Sequence, residues 1–584
     1  MDKSHDEAYL VPNPMTPNPA VVIDPDLCIG CKRCVRVCRT DVLLPIEEKT
    51  PPCTLACPAG IDIKKQLDYI AKGQYAEALK LVKEATPLAL VCSRVCPRFC
   101  EKKCGRAGLE GPVAINMTKR FISDLDLKKG GPSAPPVKEA TGHRVAVVGS
   151  GPAGLSAAFY LALEGHGVTL LEASPEKGGL LRYGVPDFRL PKSILDKEID
   201  SIARMCQEVR TNAALGRDFT IDTLKEEGFE AVLIAVGAEG PLRLEVPGED
   251  LEGVFHGVQF LKDLNSGKTP RMGRKVVIVG GGMVAVDSAQ CAIRLGAEDV
   301  TLVALEGRDA MPAYEEDVAL AEEEGIKILS CWGVKRIIGT EAGAVGGIEL
   351  KACTSVLDKN GGFGPCYNEA DTRTLEADSI IVAVGQTTDL SFLDGKIRVG
   401  RVIEVDGDCA TSVAGVYAAG DVVTGSKTVV EACAAGRRAA ESINRYLKGQ
   451  GVVSVEKPSI PSERDWDRLD RQEYADVEQQ RATMPSLAPE ERKHTFAEIE
   501  LGVSEDQVRK EAGRCFACGE QPVAVYPDEC WFCGCCVTHC PVPGAIRMEF
   551  PLNQRVVWKR KETGEFYRIG MKNPLPPNKR PPIE

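Results

Sequence analysis

Apolar positions along this chain repeat with two different periods, and the change of period divides it. Ile61, Ile63, Leu67 and Ile70, then Ala76, Leu79, Leu81 and Val82, recur at helix-like spacing and predict helices near the start. From residue 144 to residue 448 the pattern becomes short unbroken apolar runs, such as 145–148 and 276–279, alternating with helical stretches. Unbroken runs suit strands covered on both faces, so this region reads as βαβ units with parallel sheets. Val21, Val22 and Ile23 form a short extended segment, and a Gly/Pro/Lys linker covers residues 128–142. Residues 462–513 are polar, charged and helix-prone, and the tail beyond Phe550 is Pro/Lys-rich and expected to be extended on the surface.

At 584 residues the chain exceeds one core, since a domain averages roughly 150 residues. The expected units are a cysteine-bearing segment at 1–48, a helical domain at 49–127, a first βαβ domain at 143–265 and 377–448, and a second at 266–376. A linker or helical segment at 449–510, a second cysteine-bearing segment at 511–550 and a tail at 551–584 complete the division. Net charge is −12 with no basic stripe, which argues against nucleic acid. No apolar stretch approaches a membrane span, and residues 1–20 are polar and Pro-rich without an apolar signal core. A cytoplasmic location is expected.

Two of the predicted strands run into glycine-rich turns. Arg144-Val-Ala-Val-Val-Gly149-Ser-Gly151-Pro-Ala-Gly154 is strand, Gly-x-Gly-x-x-Gly and helix in order, and the strand at 168–171 ends in Glu172. Gly149 permits the tight turn, Gly151 lets the backbone approach a pyrophosphate, Gly154 lets the helix pack closely, and Glu172 is placed to hold a ribose hydroxyl pair. Lys275-Val-Val-Ile-Val-Gly280-Gly-Gly282-Met-Val-Ala285 repeats the arrangement, with a strand at 300–305 and Glu306 after it. The runs ending at Gly237 and Gly385 read as crossings between the two units. Gly415-Val-Tyr-Ala-Ala-Gly420-Asp421, followed by a helix at 428–440, returns the chain to the first.

The 24 cysteines change the picture, because ten lie between Cys28 and Cys104 and seven between Cys515 and Cys540. Without an export signal they need a ligand rather than disulfides. Cys28-x-x-Cys31-x-x-Cys34-x-x-x-Cys38 and Cys530-x-x-Cys533-x-x-Cys536-x-x-x-Cys540-Pro541 both have bacterial ferredoxin spacing, which points to [4Fe–4S] clusters rather than zinc. Cys535 is an extra cysteine, read as a non-ligand. Each run is half of a two-cluster ferredoxin, so Cys28, Cys31 and Cys34 are expected to share a cluster with Cys540, and Cys530, Cys533 and Cys536 one with Cys38. Two independent single-cluster sites, with Cys515 or Cys518 supplying a corner, are the competing arrangement. The seven cysteines scattered through the middle read as small buried apolar residues.

The first glycine loop together with Gly420-Asp421 resembles the two-dinucleotide-binding-domain flavoproteins. More closely, residues 50–450 resemble the small subunit of glutamate synthase and its relatives in dihydropyrimidine dehydrogenase and the electron-bifurcating ferredoxin:NADP oxidoreductase. The motifs that carry the likeness are Cys53-Thr-Leu-Ala-Cys57-Pro-Ala-Gly, Val91-Cys-Ser-Arg-Val-Cys96-Pro-Arg-Phe-Cys100-Glu-Lys-Lys-Cys104, Gly111-Pro-Val-Ala-Ile, Gly178-Gly179-Leu180-Leu-Arg182-Tyr-Gly184-Val-Pro and Met311-Pro-Ala. The resemblance implies an α/β fold with two Rossmann-like domains, FAD in the first through Gly420 and Asp421, a nicotinamide dinucleotide in the second, and a helical iron–sulfur domain before them. It also implies that Cys57, Cys96 and Cys100 bind one cluster, with a non-cysteine ligand at the position of Lys119. A protonated lysine is a poor ligand, which leaves Cys92 or Cys104 as substitutes. The family's other cluster uses two cysteines upstream of Cys53, which residues near Pro45 and Glu48 do not supply. Cys515-x-x-Cys518 either completes a site or is a structural leftover. About three to four clusters are expected in all.

NADP-using members of this branch carry arginines shortly before Met-Pro-Ala, where this chain has Leu305-Glu306-Gly307-Arg308. A carboxylate suits a free 2′-hydroxyl and repels a 2′-phosphate, so NAD(H) is expected over NADP(H), with Arg308 as the phosphate-binding alternative. Flavin exchanges a hydride with nicotinamide and single electrons with clusters, so no catalytic acid or nucleophile is required. Cys291 stands alone, which argues against a disulfide reductase of the thioredoxin reductase kind. The expectation is an NADH:acceptor oxidoreductase subunit in a hetero-oligomer, linked to ferredoxin or to a larger 2-oxoacid, aldehyde or acyl-CoA oxidoreductase subunit. The alternatives are a freestanding NADPH:ferredoxin oxidoreductase, the glutamate synthase small subunit, and a non-catalytic adaptor, the last disfavoured by the intact glycine loops.

Overall fold

The computed structural model describes residues 50–450 apart from 108, 109, 360 and 394, then 480–516 and 518, and seven further strands at 6–11, 21–23, 43–48, 520–524, 546–548, 555–560 and 566–568. The unbroken apolar runs do become parallel strands. The first sheet has the spatial order Val416–Ala418, Ala231–Ile234, Arg144–Val148, Gly167–Leu171, Glu208–Arg210. Val145 to Val148 are all buried, because the helices Pro152–Leu163 and Val429–Leu447 cover one face and an apolar cluster around Phe229 and Leu224 fills the other. This double cover explains why the run lacks alternation.

The second sheet has the order Lys327–Leu329, Asp299–Val303, Lys275–Val279, Ser379–Val382, Val254–His256, again parallel. Val254–His256, the helix Gly257–Asn265 and Ser379–Val382 therefore belong with the second unit, whereas the expected bounds of 143–265 and 377–448 put them in the first. The reason is pairing: Ile380 and Ile381 lie beside Val277 and Ile278, so the run ending at Gly385 is an inner strand of this sheet. The crossing itself is a two-stranded link in which Gln386 pairs with Pro241 and Thr387 with Gly240. A three-stranded antiparallel sheet, Trp332–Gly339, Val345–Leu357 and Phe363–Glu376, is appended to the second unit.

Ahead of both lies the helical unit. Asp62 caps Ile63–Ala71 by accepting from the Lys65 amide at 3.1 Å, and Ile63, Leu67 and Ile70 are buried. In Tyr75–Ala85 the buried stripe is Ala78, Leu79, Val82 and Ala85, so Leu79 and Val82 are buried as expected, while Leu81 is half-buried and Ala76 is exposed. Residues 480–516 are not a solvated linker. They form a strap across the helical unit and the second unit: Arg492 pairs with Glu324 at 3.3 Å, and Glu511, paired with Arg514 at 2.6 Å, accepts from the Ala114 amide at 2.8 Å. Arg492, Arg514, Glu324 and Glu511 are each 2 % exposed or less, a burial that ionised groups sustain only when paired.

The two chain ends meet. Val21–Ile23 pairs antiparallel with Ile546–Met548, and Leu43–Glu48 with Glu520–Ala524. Asp6–Val11 pairs with Arg555–Arg560.

Candidate functional site

The turn after Arg144–Val148 places Gly149 at φ +104, with the Ala235 carbonyl only 2.3 Å from where a Cβ would lie. Gly151, the N-cap of Pro152–Leu163, meets nothing within 4 Å and opens on a cavity of about 610 Å³. That size is within the range of ligand pockets. Its walls include Gly149, Gly151, Glu172, Gly179, Leu180, Gly237, Gly420 and Asp421, so most residues predicted for the first dinucleotide converge there. Glu172 is buried and oriented by the Ser150 amide and hydroxyl, at 3.0 and 2.5 Å on one oxygen, and by the Ser174 amide at 2.8 Å on the other. A carboxylate has acceptor capacity beyond these three bonds for ribose hydroxyls. Asp421 accepts from the Lys427 amide at 3.2 Å, and burial raises its carboxyl to about 6.

Two predicted residues do not line this cavity. Gly154 lies beneath it, on the helix packed against the strand. Arg182 donates to the Lys177 carbonyl at 2.7 Å and pairs with Asp196, so it braces the loop that carries Gly179 instead. Sequence reasoning missed Ser150, Lys262, Gln386 and Val429, all in the walls. Only Val429 had a local signal. Thr428 and Glu431 form a capping box, in which the Glu431 amide donates to the Thr428 hydroxyl and the Thr428 amide donates to the Glu431 carboxylate, and this fixes the helix start at the cavity.

The second loop repeats the geometry of the first. Gly280 is at φ +140 with the Ala383 carbonyl 2.3 Å from a would-be Cβ, and Gly282 is the N-cap of Met283–Arg294, which contains buried Ala285. Glu306 places Oε2 2.6 Å from the would-be Cβ of Gly281, so its carboxylate lies against the loop as Glu172 lies against Ser150. Arg308 is held by Glu322 through bonds of 3.2 and 2.7 Å. Gly385, with Gly237, flanks the crossing strands, where the Thr388 hydroxyl donates to the Gly237 carbonyl at 3.2 Å.

The helical unit sorts its cysteines into two narrow cavities. Cys57, Cys92, Cys96 and Cys100 line one, together with Lys119 and Val430. Cys53 and Cys104 line the other. Of the two substitutes for a fourth ligand, Cys92 is therefore in the right cavity and Cys104 is not. Cys92 carries a hydrogen bond from the buried Cys433 thiol, which with Lys119 holds it below the ordinary thiol range. Burial pushes the Lys119 ammonium down, but the sulfurs of Cys96, Cys92, Cys100 and Cys57 more than offset this and leave it raised. A lysine in its protonated form has no lone pair to offer a metal and supplies only charge. Burial pushes the Cys96 and Cys100 thiols up, and no disulfide forms among the described cysteines. Dry thiols crowded around a cation suit an anionic thiolate-ligated cluster. Cys291 is buried in the second unit. Cys28, Cys31, Cys34, Cys38, Cys530, Cys533, Cys536 and Cys540 lie outside the described residues.

The comparisons with known proteins agree with this geometry. Residues 143–436 match the pyridine nucleotide-disulphide oxidoreductase family, and residues 11–131 match dihydropyrimidine dehydrogenase domain II, 4Fe-4S cluster. The NADP(+)-dependent formate dehydrogenase subunit beta of Moorella thermoacetica is 38% identical over 508 residues, covering 80% of this chain and 70% of its own length. The NADPH-Fe(3+) oxidoreductase subunit beta of Geobacter sulfurreducens is 33% identical, covering 81% and 76%. The NAD-dependent dihydropyrimidine dehydrogenase subunit PreT of Escherichia coli is 35% identical, covering 68% and 91%. Among solved structures, Mycobacterium tuberculosis FprA in complex with NADPH aligns over 53% of this chain and 85% of its own, with a TM-score of 0.47 and 18% identity. No helix of the described residues is long and apolar enough to cross a membrane. With both glycine loops, the cavity at the first of them and the cysteine-lined helical unit in place, this chain belongs to the pyridine nucleotide-disulphide oxidoreductase family, as a FAD-dependent NAD(P)H oxidoreductase that carries an iron–sulfur domain.

Proposed function

We propose that this chain is the NADH-oxidising electron-transfer subunit of a larger cytoplasmic oxidoreductase, acting between NAD(H), FAD, [4Fe–4S] clusters and a partner enzyme. The observation that carries this reading is the shared wall at the start of Val429–Leu447. Val429 faces the 610 Å³ cavity and Val430 faces the cavity of Cys57, Cys96 and Cys100. FAD is the group that exchanges a hydride with nicotinamide and single electrons with iron–sulfur centres. Around it, Gly151 would leave room for the pyrophosphate, Glu172, held in the cavity wall by the Ser150 amide, would accept from the ribose, and Asp421 stands half-buried at the cavity edge.

The relatives named as subunits support a hetero-oligomer, and the partner is expected to be a 2-oxoacid, aldehyde or acyl-CoA oxidoreductase subunit or a ferredoxin. Thiol richness without disulfides among the described cysteines suits a reducing cytoplasm. Preference for NADH rests on the Glu306 carboxylate against Gly281. A second reading, NADPH, is favoured by the names of the Moorella and Geobacter relatives. Anaerobic titration of the purified chain with each nucleotide decides between them: bleaching of the flavin by NADH at far lower concentration supports the proposal, and bleaching by NADPH alone replaces it.

The terminal cysteine runs belong to the same reading as one two-cluster module. The strand pairs Val21–Ile23 with Ile546–Met548 and Leu43–Glu48 with Glu520–Ala524 flank both runs, before and after. Sharing of Cys540 with Cys28, Cys31 and Cys34 predicts that Cys540→Ala damages the N-terminal cluster; damage confined to the C-terminal one refutes the sharing.

A further inference from the structure

The second cysteine cavity contains more than the helical unit supplies. Besides Cys53 and Cys104 it is lined by Cys515 and Cys518, which arrive from the far end of the strap. Cys53 and Cys57 are four residues apart, as are Cys100 and Cys104, and each pair gives one thiol to each cavity, with Ile115 lining both.

The strap delivers its cysteines rigidly. The helix Glu505–Gly513 starts with a Ser504–Gln507 capping box and ends at Arg514, whose guanidinium pairs with Glu511 and donates to the Gly111 carbonyl at 2.8 Å. Glu511 in turn accepts from the Ala114 amide at 2.8 Å and the Ala482 amide at 2.9 Å. The Arg514 carbonyl accepts from Arg106 at 2.8 Å, and Arg106 lies over the Phe516 ring at 4.5 Å. Two cations, Lys64 and Arg106, line the cavity, and the Val113 amide donates to Cys104 Sγ at 3.5 Å.

A second observation points to the same place. The strands Leu43–Glu48 and Glu520–Ala524 pair with Glu48 opposite Glu520. Cys53 follows shortly after the first partner and Cys518 shortly precedes the second, so the end of that ladder sets both cysteines beside each other. Among the described residues no three His, Cys, Asp or Glu side chains converge as one metal ion requires. A cubane spreads its four thiolates over separate iron corners, which is what four cysteines around one cavity without a common focus provide.

We propose that Cys53, Cys104, Cys515 and Cys518 bind a [4Fe–4S] cluster of their own, with the C-terminal strap supplying half of its ligands. Each thiol binds as thiolate and releases its proton, while the two cations and the Val113 amide offset the negative charge. This inference rests on the iron–sulfur reading above. It gives the site a position as well: between the Cys57 cavity, which shares a wall with the flavin-sized cavity, and the strand pairs that flank the terminal cysteine runs in the chain.

The test compares the full-length chain, purified anaerobically, with the Cys515→Ser/Cys518→Ser double variant, Cys53→Ser, and the exposed-cysteine control Cys366→Ser. Iron, acid-labile sulfide, zinc and FAD are counted per chain, and EPR-monitored redox titration resolves the centres. Expected is a loss of about four irons and four sulfides in the double variant, the same loss in Cys53→Ser, no further loss when the two are combined, and an unchanged control. Unchanged iron in the double variant, or loss of one zinc instead, overturns the proposal. Alkylation of the unmodified protein, followed by mass spectrometry, avoids dependence on variant folding. Cys515 and Cys518 should be protected until iron is chelated and then labelled together with Cys53 and Cys104, and their labelling at full iron content overturns the assignment. NAD(P)H bleaching of the flavin in the same samples is scored separately, so a failed ligand assignment and a failed electron-transfer reading give different results.

Discussion

Val429 and Val430 are consecutive in the chain and line different cavities, Val429 the flavin-sized one and Val430 that of Cys57, Cys96 and Cys100. Successive helical positions point about 100° apart, so a single turn fixed by the Thr428–Glu431 box walls both sites. The separation between a bound flavin and a cluster is thereby set by one helix terminus rather than by a mobile loop.

Uncoupling is the first consequence. Cys96→Ser removes a thiol from the Cys57 cavity without touching the flavin walls. FAD content and flavin bleaching by NADH should be unchanged, while reduction of a one-electron ferredoxin acceptor should fall roughly tenfold or more. Stopped-flow absorbance under anaerobic conditions checks both, and an acceptor rate equal to wild type refutes the shared-wall argument.

Two glycines of the first loop should behave differently on substitution by alanine. At Gly149 the left-handed φ of +104 and the Ala235 carbonyl 2.3 Å from a Cβ leave no room, so Gly149→Ala should destabilise the domain by about 1–3 kcal/mol or more and lose FAD. At Gly151 a Cβ meets no protein atom within 4 Å, so the apoprotein melting temperature should hold. The added methyl enters the space left for the pyrophosphate, and FAD affinity should fall by roughly ten- to a hundredfold. Thermal unfolding of the apoprotein together with FAD titration separates the two effects.

Both glycine loops were legible in the sequence because each signal is local: strand, turn, helix and acid follow one another within about 30 residues. What depends on distant pairing was not. The runs ending at Gly237 and Gly385 look alike, yet Ala231–Ile234 lies in the first sheet and Ser379–Val382 in the second. That Cys57 goes with Cys96 and Cys100 was implied by the resemblance, but that Cys53 and Cys104 meet Cys515 and Cys518 in the other cavity depends on distant pairing. The strap was the hardest case. Arg492, Arg514 and Glu511 have the composition of a solvated linker, and what buries Arg492 is an acid some 170 residues away, Glu324 at 3.3 Å.

Arg189 clamps the flavin unit to the second unit, bonding Asp287 at 3.0 Å and pairing with Asp317. Burial raises the Asp287 carboxyl to about 6 against an ordinary 3.8. A raised carboxyl binds its proton more tightly folded than unfolded, so stability falls as pH rises from about 4 to 6 and is level above. Asp287→Asn should therefore gain on the wild type between pH 4 and pH 7, by up to about 3 kcal/mol. Arg189→Met, which strands two acids, should cost about 3–5 kcal/mol at pH 7. Melting temperatures at pH 5 and pH 8 test this, and a gain for Asp287→Asn that is larger at pH 5 contradicts it.

Lys119 sits buried among the sulfurs of Cys57, Cys92, Cys96 and Cys100, where two roles make opposite predictions. As a neutral amine ligand it would hold iron, and Lys119→Met would lose the cluster. As the protonated counter-charge favoured by its surroundings, it stabilises negative charge in the cavity without coordinating, and Cys92 completes the ligand set. Lys119→Met should then retain iron and sulfide and lower the midpoint potential of that centre, because the reduced form carries the extra negative charge. The shift should be on the order of 100 mV, the size that one charge a few ångströms away produces at an effective dielectric near 20. Lys119→Arg keeps the charge and should restore most of the potential, provided the larger side chain is accommodated. Iron content separates the two roles directly, and an unchanged potential with full iron would exclude both.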